Sequence, residues 1–294
     1  MTEHTFVDAD GVTIGYREWT PDGAARATVV IAHGASEHSG RYARVASTLT
    51  AAGFSVLAVD HRGHGLTSAS TGAGLLGPRG MAGVLDDLDH VVSLATGPVL
   101  LLGHSMGSVI ALRYAETHPD ALTGLVLSGP IGVMPGVEVA LQQLQGALDG
   151  GLADTPVESL GPFNEEFEPA RTPYDWLSRS DAEVDAYVAD PWCGDQNPLT
   201  YGYLAAVLSG VRDSADEVGR LPSTLPVLVI AGERDPVSAF TAQARALAEA
   251  MRSAGLTVTE DYYPGARHEL LNETNRAEVE AALVAWLTEH LSPR

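Results

Sequence analysis

Short apolar runs alternate with segments whose apolar residues recur at helical spacing, and this alternation extends along most of the chain. The predicted strands lie at residues 28–32, 54–59, 99–102, 122–127, 226–232 and 256–263, and the β-branched run at 28–32 is typical of a strand buried on both faces. The segments with helical spacing lie at residues 41–52, 81–95, 106–118, 241–254 and 277–291. This order predicts right-handed crossovers and a mostly parallel sheet with helices on both faces.

The first strands follow a different pattern. Residues 5–19 alternate between apolar and polar side chains around Asp10-Gly11, which predicts a two-stranded hairpin. The candidates for its packed face are Phe6, Val12, Ile14 and Tyr16. With this hairpin the expected sheet has about eight strands.

In the helix at 81–95, we expect Asp86, Asp87 and Asp89 to face solvent.

The alternation stops between residues 131 and 210, where prolines recur, short helices are predicted and no strand is convincing. From residue 131 to 205 there are thirteen acidic residues and two arginines. We expect a helical cap over the carboxyl edge of the sheet, inserted into a core formed by residues 1–130 and 211–294. A domain with an independent function is the alternative, which the polar, proline-punctuated composition disfavours.

One strand–turn–helix segment contains a candidate catalytic residue. The strand at 99–102 leads into Gly103-His104-Ser105-Met106-Gly107, and a helix follows until Pro119. A G-x-S-x-G turn in this setting is typical of a nucleophile elbow. Gly103 and Gly107 would let strand and helix approach closely while Ser105 adopts a strained backbone conformation. We read His104 as a packing residue.

A nucleophilic serine needs a base, and an acid orients that base. After a nucleophile elbow these three residues, the catalytic triad, follow along the chain in the order serine, acid, histidine. Two histidines follow the predicted cap, and His290 lies within the terminal helix. His268 lies in a loop after the last strand, where reactive groups are commonly carried, and is therefore the predicted base. Asp235, in the loop after the preceding strand, is the predicted acid, with Glu233 as its competitor and Asp261 as a weaker candidate.

A tetrahedral oxyanion needs N–H donors that are already in position. The amide of Met106, beside the nucleophile at the N-terminus of a helix, is one candidate. The other is the amide of Ala35, because His33-Gly34 follows directly after the strand at 28–32 and Gly34 lets the backbone fold back.

Composition narrows the partners. The formal charge of −21 excludes a phosphate-backbone partner, so no nucleic acid is expected. The N-terminal sequence lacks the basic and apolar regions of a secretion signal, and we expect a cytoplasmic protein. The single cysteine, Cys193, excludes an internal disulfide and a cysteine metal cluster, and no cofactor or metal is expected.

Several motifs together resemble the monoacylglycerol lipase and lysophospholipase branch of the α/β-hydrolases. They are HGASEHSGRY at 33–42, DHRGHG at 60–65, GHSMGS at 103–108 and YPGARHE at 263–269. The resemblance implies the α/β-hydrolase fold, the triad Ser105, Asp235 and His268, the oxyanion donors Ala35 and Met106, and a cap that guides an acyl chain. Ser36 and Ser108 stand where the family more often has glycine.

We therefore expect a serine esterase that acts on monoacylglycerols or other single-chain acyl esters through an acyl-enzyme. Thioesterase, acyltransferase, C–C hydrolase and aminopeptidase chemistry are alternatives, as is a binding protein that has kept the fold without catalysis. We expect no stable membrane insertion, although a transient contact of the cap with a lipid interface is compatible with the sequence. Residues that could line an acyl channel, or simply pack, are Val133, Met134, Val137, Val139, Leu141, Leu144 and Leu148.

Overall fold

A computed structural model describes residues 1–291 of the chain. Its strands are β1 (Thr2–Val7), β2 (Thr13–Trp19), β3 (Thr28–Ala32), β4 (Ser55–Val59), β5 (Val99–His104), β6 (Gly124–Ser128), β7 (Val227–Gly232) and β8 (Val258–Tyr263). Its helices are α1 (Ala43–Ala51), α2 (Ser68–Thr71), α3 (Gly80–Ser93), α4 (Met106–Thr117), α5 (Val137–Asp149), α6 (Asp181–Ala189), α7 (Tyr201–Glu217), α8 (Ala242–Ser253) and α9 (Arg276–Glu289). None of the helices described is both long and apolar enough to cross a membrane.

The eight strands form one sheet in the order β1-β2-β4-β3-β5-β6-β7-β8. The first two strands pair antiparallel with each other, and β2 pairs antiparallel with β4. All other neighbours are parallel. The predicted mostly parallel, eight-stranded sheet with an N-terminal hairpin is therefore confirmed. The carboxyl ends of β3, β5, β6 and β7 meet at one edge, where the predicted chemistry lies.

Each face of the sheet buries its own hydrophobic core. On one face, α1 and α9 pack against the central strands through residues such as Val45, Leu49 and Leu283. On the other face, α3, α4, α7 and α8 cover residues that include Val30 and Leu101. Strands β3, β6 and β7 are buried along their whole length, which explains their unbroken apolar sequence. Of the predicted hairpin residues, Ile14 is fully buried, and Phe6, Val12 and Tyr16 pack against the same core while partly exposed.

The segment between β6 and β7 contains α5, α6 and α7, joined by irregular loops. Its last helix, α7, buries Val207 and Val211 in the core that also holds α4. The expected boundary between residues 210 and 211 falls inside α7, so the helix belongs to both expected parts. Residues 292–294 of the expected core lie outside the described residues.

One expectation for α3 is wrong. Asp87 is 3% exposed and accepts a hydrogen bond from Nε of Arg62 at 2.7 Å, whereas Asp86 and Asp89 are at least half exposed. Burial raises the pKa of Asp87 to about 6 despite the opposing effect of Arg62. Arg62 is itself fully buried and contacts Asp8 and Asp10 of the hairpin turn. A buried guanidinium needs anionic partners, and this is why Asp87 is buried against Arg62 instead of facing solvent.

Candidate active site

The elbow forms as the glycine pattern predicts. β5 ends at His104 and α4 begins at Met106, which leaves Ser105 between them with φ 52° and ψ −120°. A Cβ on Gly103 would lie 2.3 Å from the carbonyl oxygen of Gly107, and a Cβ on Gly107 would lie 2.0 Å from that of Ala32. Only glycine fits at both positions, so the tight turn and the left-handed conformation of Ser105 depend on them.

The structure brings His268 and Asp235 together from separate loops. Nδ1 of His268 lies 3.0 Å from Oδ1 of Asp235, and both side chains are buried. Burial alone would lower the pKa of His268, but the charge and hydrogen bond of Asp235 outweigh it and raise that pKa above its usual value. The same pair lowers the pKa of Asp235, although burial opposes this. The acid is therefore ionised at neutral pH and favours a proton on Nδ1.

The competing acids do not reach the histidine. Glu233 is exposed to solvent, whereas Asp235 is completely buried and also accepts the N–H of Val237 at 2.9 Å. Asp261 is partly buried within β8, and among the residues that the structure describes no hydrogen bond joins it to His268.

The ring of His268 is packed between the elbow and the segment that precedes β7. His104 lies on one side with ring centroids 4.7 Å apart, and Trp176 contacts it at 5.3 Å. Nδ1 of His104 is 3.1 Å from the carbonyl oxygen of Ser128, and its ring packs against His268 as the sequence predicted. Within residues 1–291 no hydrogen bond joins Oγ of Ser105 to His268. Such contacts in unliganded sites often form only with substrate.

Gly129, which follows β6, was not recognised from the sequence. A Cβ at this position would lie 3.1 Å from Nδ1 of His268, and Gly129 has φ +52°. It therefore leaves room for the histidine ring. Its position at the carboxyl end of a strand was a signal available in the sequence, but the partner is 139 residues away and no pattern connects the two.

Several polar backbone groups of the loop after β3 are already hydrogen-bonded. Gly34 N–H donates to Oε1 of Glu37 at 2.6 Å, and Ser36 N–H donates to Nε2 of His64 at 3.2 Å. Nδ1 of His33 lies 2.7 Å from the carbonyl oxygen of Gly34. Within the described residues, Ala35 N–H has no acceptor, and Ala35 lines the cavity above Ser105. Met106, the first residue of α4, likewise has an N–H without an acceptor in its helix.

Two neutral histidines brace this loop from behind. Burial lowers the pKa of His33, and burial followed by the charge of His33 lowers that of His64 to about 3. A neutral ring donates through one nitrogen and accepts through the other, as both do here. Nδ1 of His33 donates to the carbonyl oxygen of Gly34, which belongs to the same peptide group as the N–H of Ala35. Because the two ends of a trans peptide point in opposite directions, this bond aims the Ala35 N–H away from His33.

An ion network joins this loop to the loop of His268. Arg41 contacts Glu269 through two hydrogen bonds of 2.5 and 2.8 Å and Glu37 through one of 2.9 Å. Burial would raise the pKa of Glu37, but Arg41 first, and the Gly34 N–H among others, lower it to about 2. The sequence motifs contain these residues without indicating the network, since the contact that closes it, between Arg41 and Glu269, spans 228 positions.

A cavity of about 490 Å³ opens above Ser105. Its floor includes Ala35, Ser105, Met106 and His268. The apolar side chains that line its walls come mainly from the segment between β6 and β7: Ile131, Met134, Val157, Leu160, Phe163, Trp176, Leu177, Leu199, Leu204, Val207 and Leu208. A cavity of this size and character suits a small, largely apolar ligand.

The expected acyl-channel residues are mostly placed elsewhere. Of the seven candidates, Met134 lines the cavity, whereas Val139 is 58% exposed and α5 contains no buried residue. The apolar stripe of α5 instead contributes Val137 to the core cluster. The helix that faces the cavity is α7, through Leu204, Val207 and Leu208. Spacing along α5 could not distinguish these outcomes, because both produce the same helical period.

In the described part of the chain, His38, Asp190 and Cys193 place metal-ligating atoms within 4.8 Å of one another. Nδ1 of His38 accepts the N–H of Gly40 at 3.2 Å, so Nε2 carries the proton and donates to Asp190 at 2.9 Å. Burial also raises the pKa of Cys193 far above its usual value. A metal ligand must be deprotonated and have a free lone pair. Here the thiol keeps its proton and both nitrogens of His38 are used in hydrogen bonds, so these three residues do not fit a metal site.

Comparison with known proteins places this site in a family. A family model described as serine aminopeptidase, S33 matches residues 23–275. A monoacylglycerol lipase of Mycolicibacterium smegmatis is 35% identical, over 99% of this chain and 98% of that protein. The human monoglyceride lipase is 33% identical over 91% of this chain and 83% of its own length. The crystal structure of a highly thermostable carboxyl esterase from Bacillus coagulans, in complex with glycerol, superposes with a TM-score of 0.90 at 28% identity, covering 99% of both chains.

The matches cover the elbow, both loops that meet at its serine and the segment that lines the cavity, so the resemblance predicted from the motifs is confirmed. The chain belongs to the α/β-hydrolase family described as serine aminopeptidase, S33, and is a monoacylglycerol lipase-like member of it.

Proposed function

We propose that this chain, a carboxylic ester hydrolase, cleaves monoacylglycerols and other single-chain acyl esters with Ser105 as nucleophile, His268 as general base and Asp235 as its acid. One observation carries the proposal. The buried His268–Asp235 pair and the strained Ser105 lie together at the floor of one largely apolar cavity. The similarity to monoacylglycerol lipases and to a carboxyl esterase supports the same reaction class.

The arrangement supports a two-step reaction. Ser105 Oγ attacks the ester carbonyl while Nε2 of His268 takes its proton, and Asp235 stabilises the imidazolium that forms. The N–H groups of Ala35 and Met106 bind the oxyanion, each worth about 2.7–4 kcal/mol of the barrier. His268 then protonates the leaving alcohol. Water, activated by the same histidine, releases the acid from Ser105.

The cavity supports an acyl chain as the recognised part of the substrate. Leu199, Leu204, Val207 and Leu208 form a continuous apolar wall, on which each buried methylene contributes about 0.8 kcal/mol. We propose that residues 131–210, continued by the rest of α7, act as the cap that supplies this wall. Exposed Val139, Leu152 and Leu160 support a transient contact of this cap with a lipid interface.

Aminopeptidase activity is the second candidate, because the family model carries that description. Four carboxylate residues line the cavity, and two of them, Glu37 and Glu269, are paired with Arg41. The other two, Glu158 and Asp195, could bind a substrate ammonium group. Asp195 is already engaged by the hydroxyl of Tyr174, which weakens this interpretation.

A chain-length series tests the proposal. The purified protein is assayed with 1-monoacylglycerols and p-nitrophenyl esters from two to eighteen carbons, with an amino-acyl p-nitroanilide in parallel. We expect kcat/KM to rise from the acetate to medium or long chains and no turnover of the anilide. A strict preference for acetate would contradict the acyl-chain assignment, and faster cleavage of the anilide would favour the aminopeptidase.

A further inference from the structure

We infer that Tyr187 of α6 is a positioning residue for the oxyanion hole, because its hydroxyl and Gly194 N–H hold the carbonyl group of Ser36 in place. The inference rests on the proposed function, since it concerns the loop that presents Ala35 N–H to the substrate. The hydroxyl of Tyr187 lies 2.9 Å from the carbonyl oxygen of Ser36, and Gly194 N–H lies 3.0 Å from it.

Ser36 needs this support because of its backbone conformation. It has φ 52° although it carries a Cβ, and it is 5% exposed. A residue with a side chain disfavours the left-handed region and keeps it only where its surroundings impose it. Ser36 directly follows Ala35, so relaxation of its backbone would turn the Ala35 N–H away from Ser105.

Tyr187 is held in the orientation that this role requires. Its side chain is buried, and the guanidinium of Arg41 lies 4.8 Å from the ring centroid. Tyr174 contacts the same ring with centroids 5.0 Å apart. Burial raises the pKa of Tyr187 well above its usual value, which favours the protonated hydroxyl that donates to Ser36.

A second contact fastens the same two segments. Nε2 of His38 donates to Oδ2 of Asp190 at 2.9 Å, and His38 lies two residues beyond Ser36. Residues 187–194 of the proposed cap are thus tied to residues 36–38 by three hydrogen bonds. Docking of the cap and the geometry of the oxyanion hole are therefore coupled, and this part of the cap does not act as an independent flap.

The test compares Tyr187→Phe with Tyr114→Phe. Tyr114 is an equally buried tyrosine on α4 whose hydroxyl bonds Asp89 at 2.9 Å, outside the cavity lining. We expect Tyr187→Phe to lower kcat by about tenfold, less than loss of a whole oxyanion donor, with KM changed less than about twofold. Binding of a trifluoromethyl ketone, which forms a tetrahedral adduct, should weaken by the same factor. Tyr114→Phe should leave both unchanged.

A change in KM alone, or identical behaviour of the two variants, overturns the inference. If Tyr187→Phe does not fold, Asp190→Ala and Asp190→Asn replace it. The asparagine keeps an acceptor for His38 and should retain most of the kcat that the alanine variant loses; equal losses would again overturn the inference. Wild-type protein that neither cleaves esters nor binds the ketone would instead contradict the proposed function itself.

Discussion

At the scale of single residues, the site depends on which carboxylate orients His268. Asp235 and Glu233 are two positions apart, yet one is buried against the imidazole and the other faces water. The hydrogen bond to Nδ1 leaves Nε2 of His268 available for the proton transfer that we propose from Ser105.

Replacing Asp235 by Asn should therefore lower kcat about 10³- to 10⁴-fold without unfolding the protein, because the amide favours the wrong tautomer. The pKa of His268 should also fall, since the variant lacks the charge that most strongly opposes the effect of burial. We expect the acid limb of the kcat/KM profile to move to lower pH in the variant. Glu233→Gln is the matched control, and a comparable loss of activity in that variant would mean that the acid is misassigned.

Gly129 offers a test of the packing around the same histidine. Gly129→Ala places a Cβ within 3.1 Å of the ring and leaves alanine at φ +52°, so we expect a loss of kcat of at least tenfold. Gly136→Ala is the control, because its φ of +82° imposes similar strain, about 1–2 kcal/mol, with no atom within 4 Å of the new Cβ. In thermal unfolding both variants should lose stability, and Gly129→Ala the more, because its Cβ also meets His268. Equal kcat in the two variants would contradict a specific role for Gly129.

At the scale of elements, the loops after β3 and β8 are joined through Arg41. Its two carboxylate partners are buried. Glu37 lies in the loop after β3, and Glu269 directly follows His268 in the loop after β8. A buried carboxylate in such a network is stabilising only while it is ionised. A low pH therefore acts on the site in two ways. It protonates His268, and it protonates the carboxylates whose ion pairs with Arg41 stabilise the two loops.

The pKa of Glu37 is about 2 when folded and near 4.5 when unfolded, so its contribution is fully present above pH 4.5 and is lost as pH falls towards 2. We expect the Tm of the wild-type protein to fall more steeply between pH 5 and 2 than that of Glu37→Gln. Glu289→Gln, at an exposed position of α9, should follow the wild-type slope. Parallel slopes for all three proteins would contradict the stabilising role of the Glu37 carboxylate.

The elements differ in how far sequence could predict them. Strands such as β3 and β7 and the elbow at Ser105 follow from local chemistry, because apolar runs and obligatory glycines act within a few residues. Asp87 and the lining of the cavity did not follow, since their environments are set by Arg62 and α7, which are distant in sequence. The contact of Tyr187 with Ser36 spans 151 positions and leaves no periodic signal.

At the scale of the whole molecule, the formal charge of −21 acts on every substrate that approaches the cavity. Much of it lies in residues 131–205, which supply most of the cavity wall. A field of one sign changes association rates for charged ligands and is screened by salt. The protein should therefore prefer neutral esters over anionic ones of the same size.

This preference can be measured with p-nitrophenyl butyrate and p-nitrophenyl hemisuccinate. We expect kcat/KM for the anionic ester to rise several-fold from about 10 mM to 0.5 M NaCl, as the screening length shortens from about 30 Å to a few ångströms. The neutral ester should change little over the same range. An unchanged or falling rate for the hemisuccinate would show that the charge does not reach the site.

The central claim is that Ser105 accepts the acyl group within a cavity that binds single-chain esters. Mass spectrometry of protein treated with a fluorophosphonate, in the absence and presence of excess monoacylglycerol, tests both parts at once. We predict one adduct, located on Ser105, whose formation the monoacylglycerol slows and which Ser105→Ala abolishes. Labelling that persists in Ser105→Ala, or that monoacylglycerol does not slow, would contradict the account.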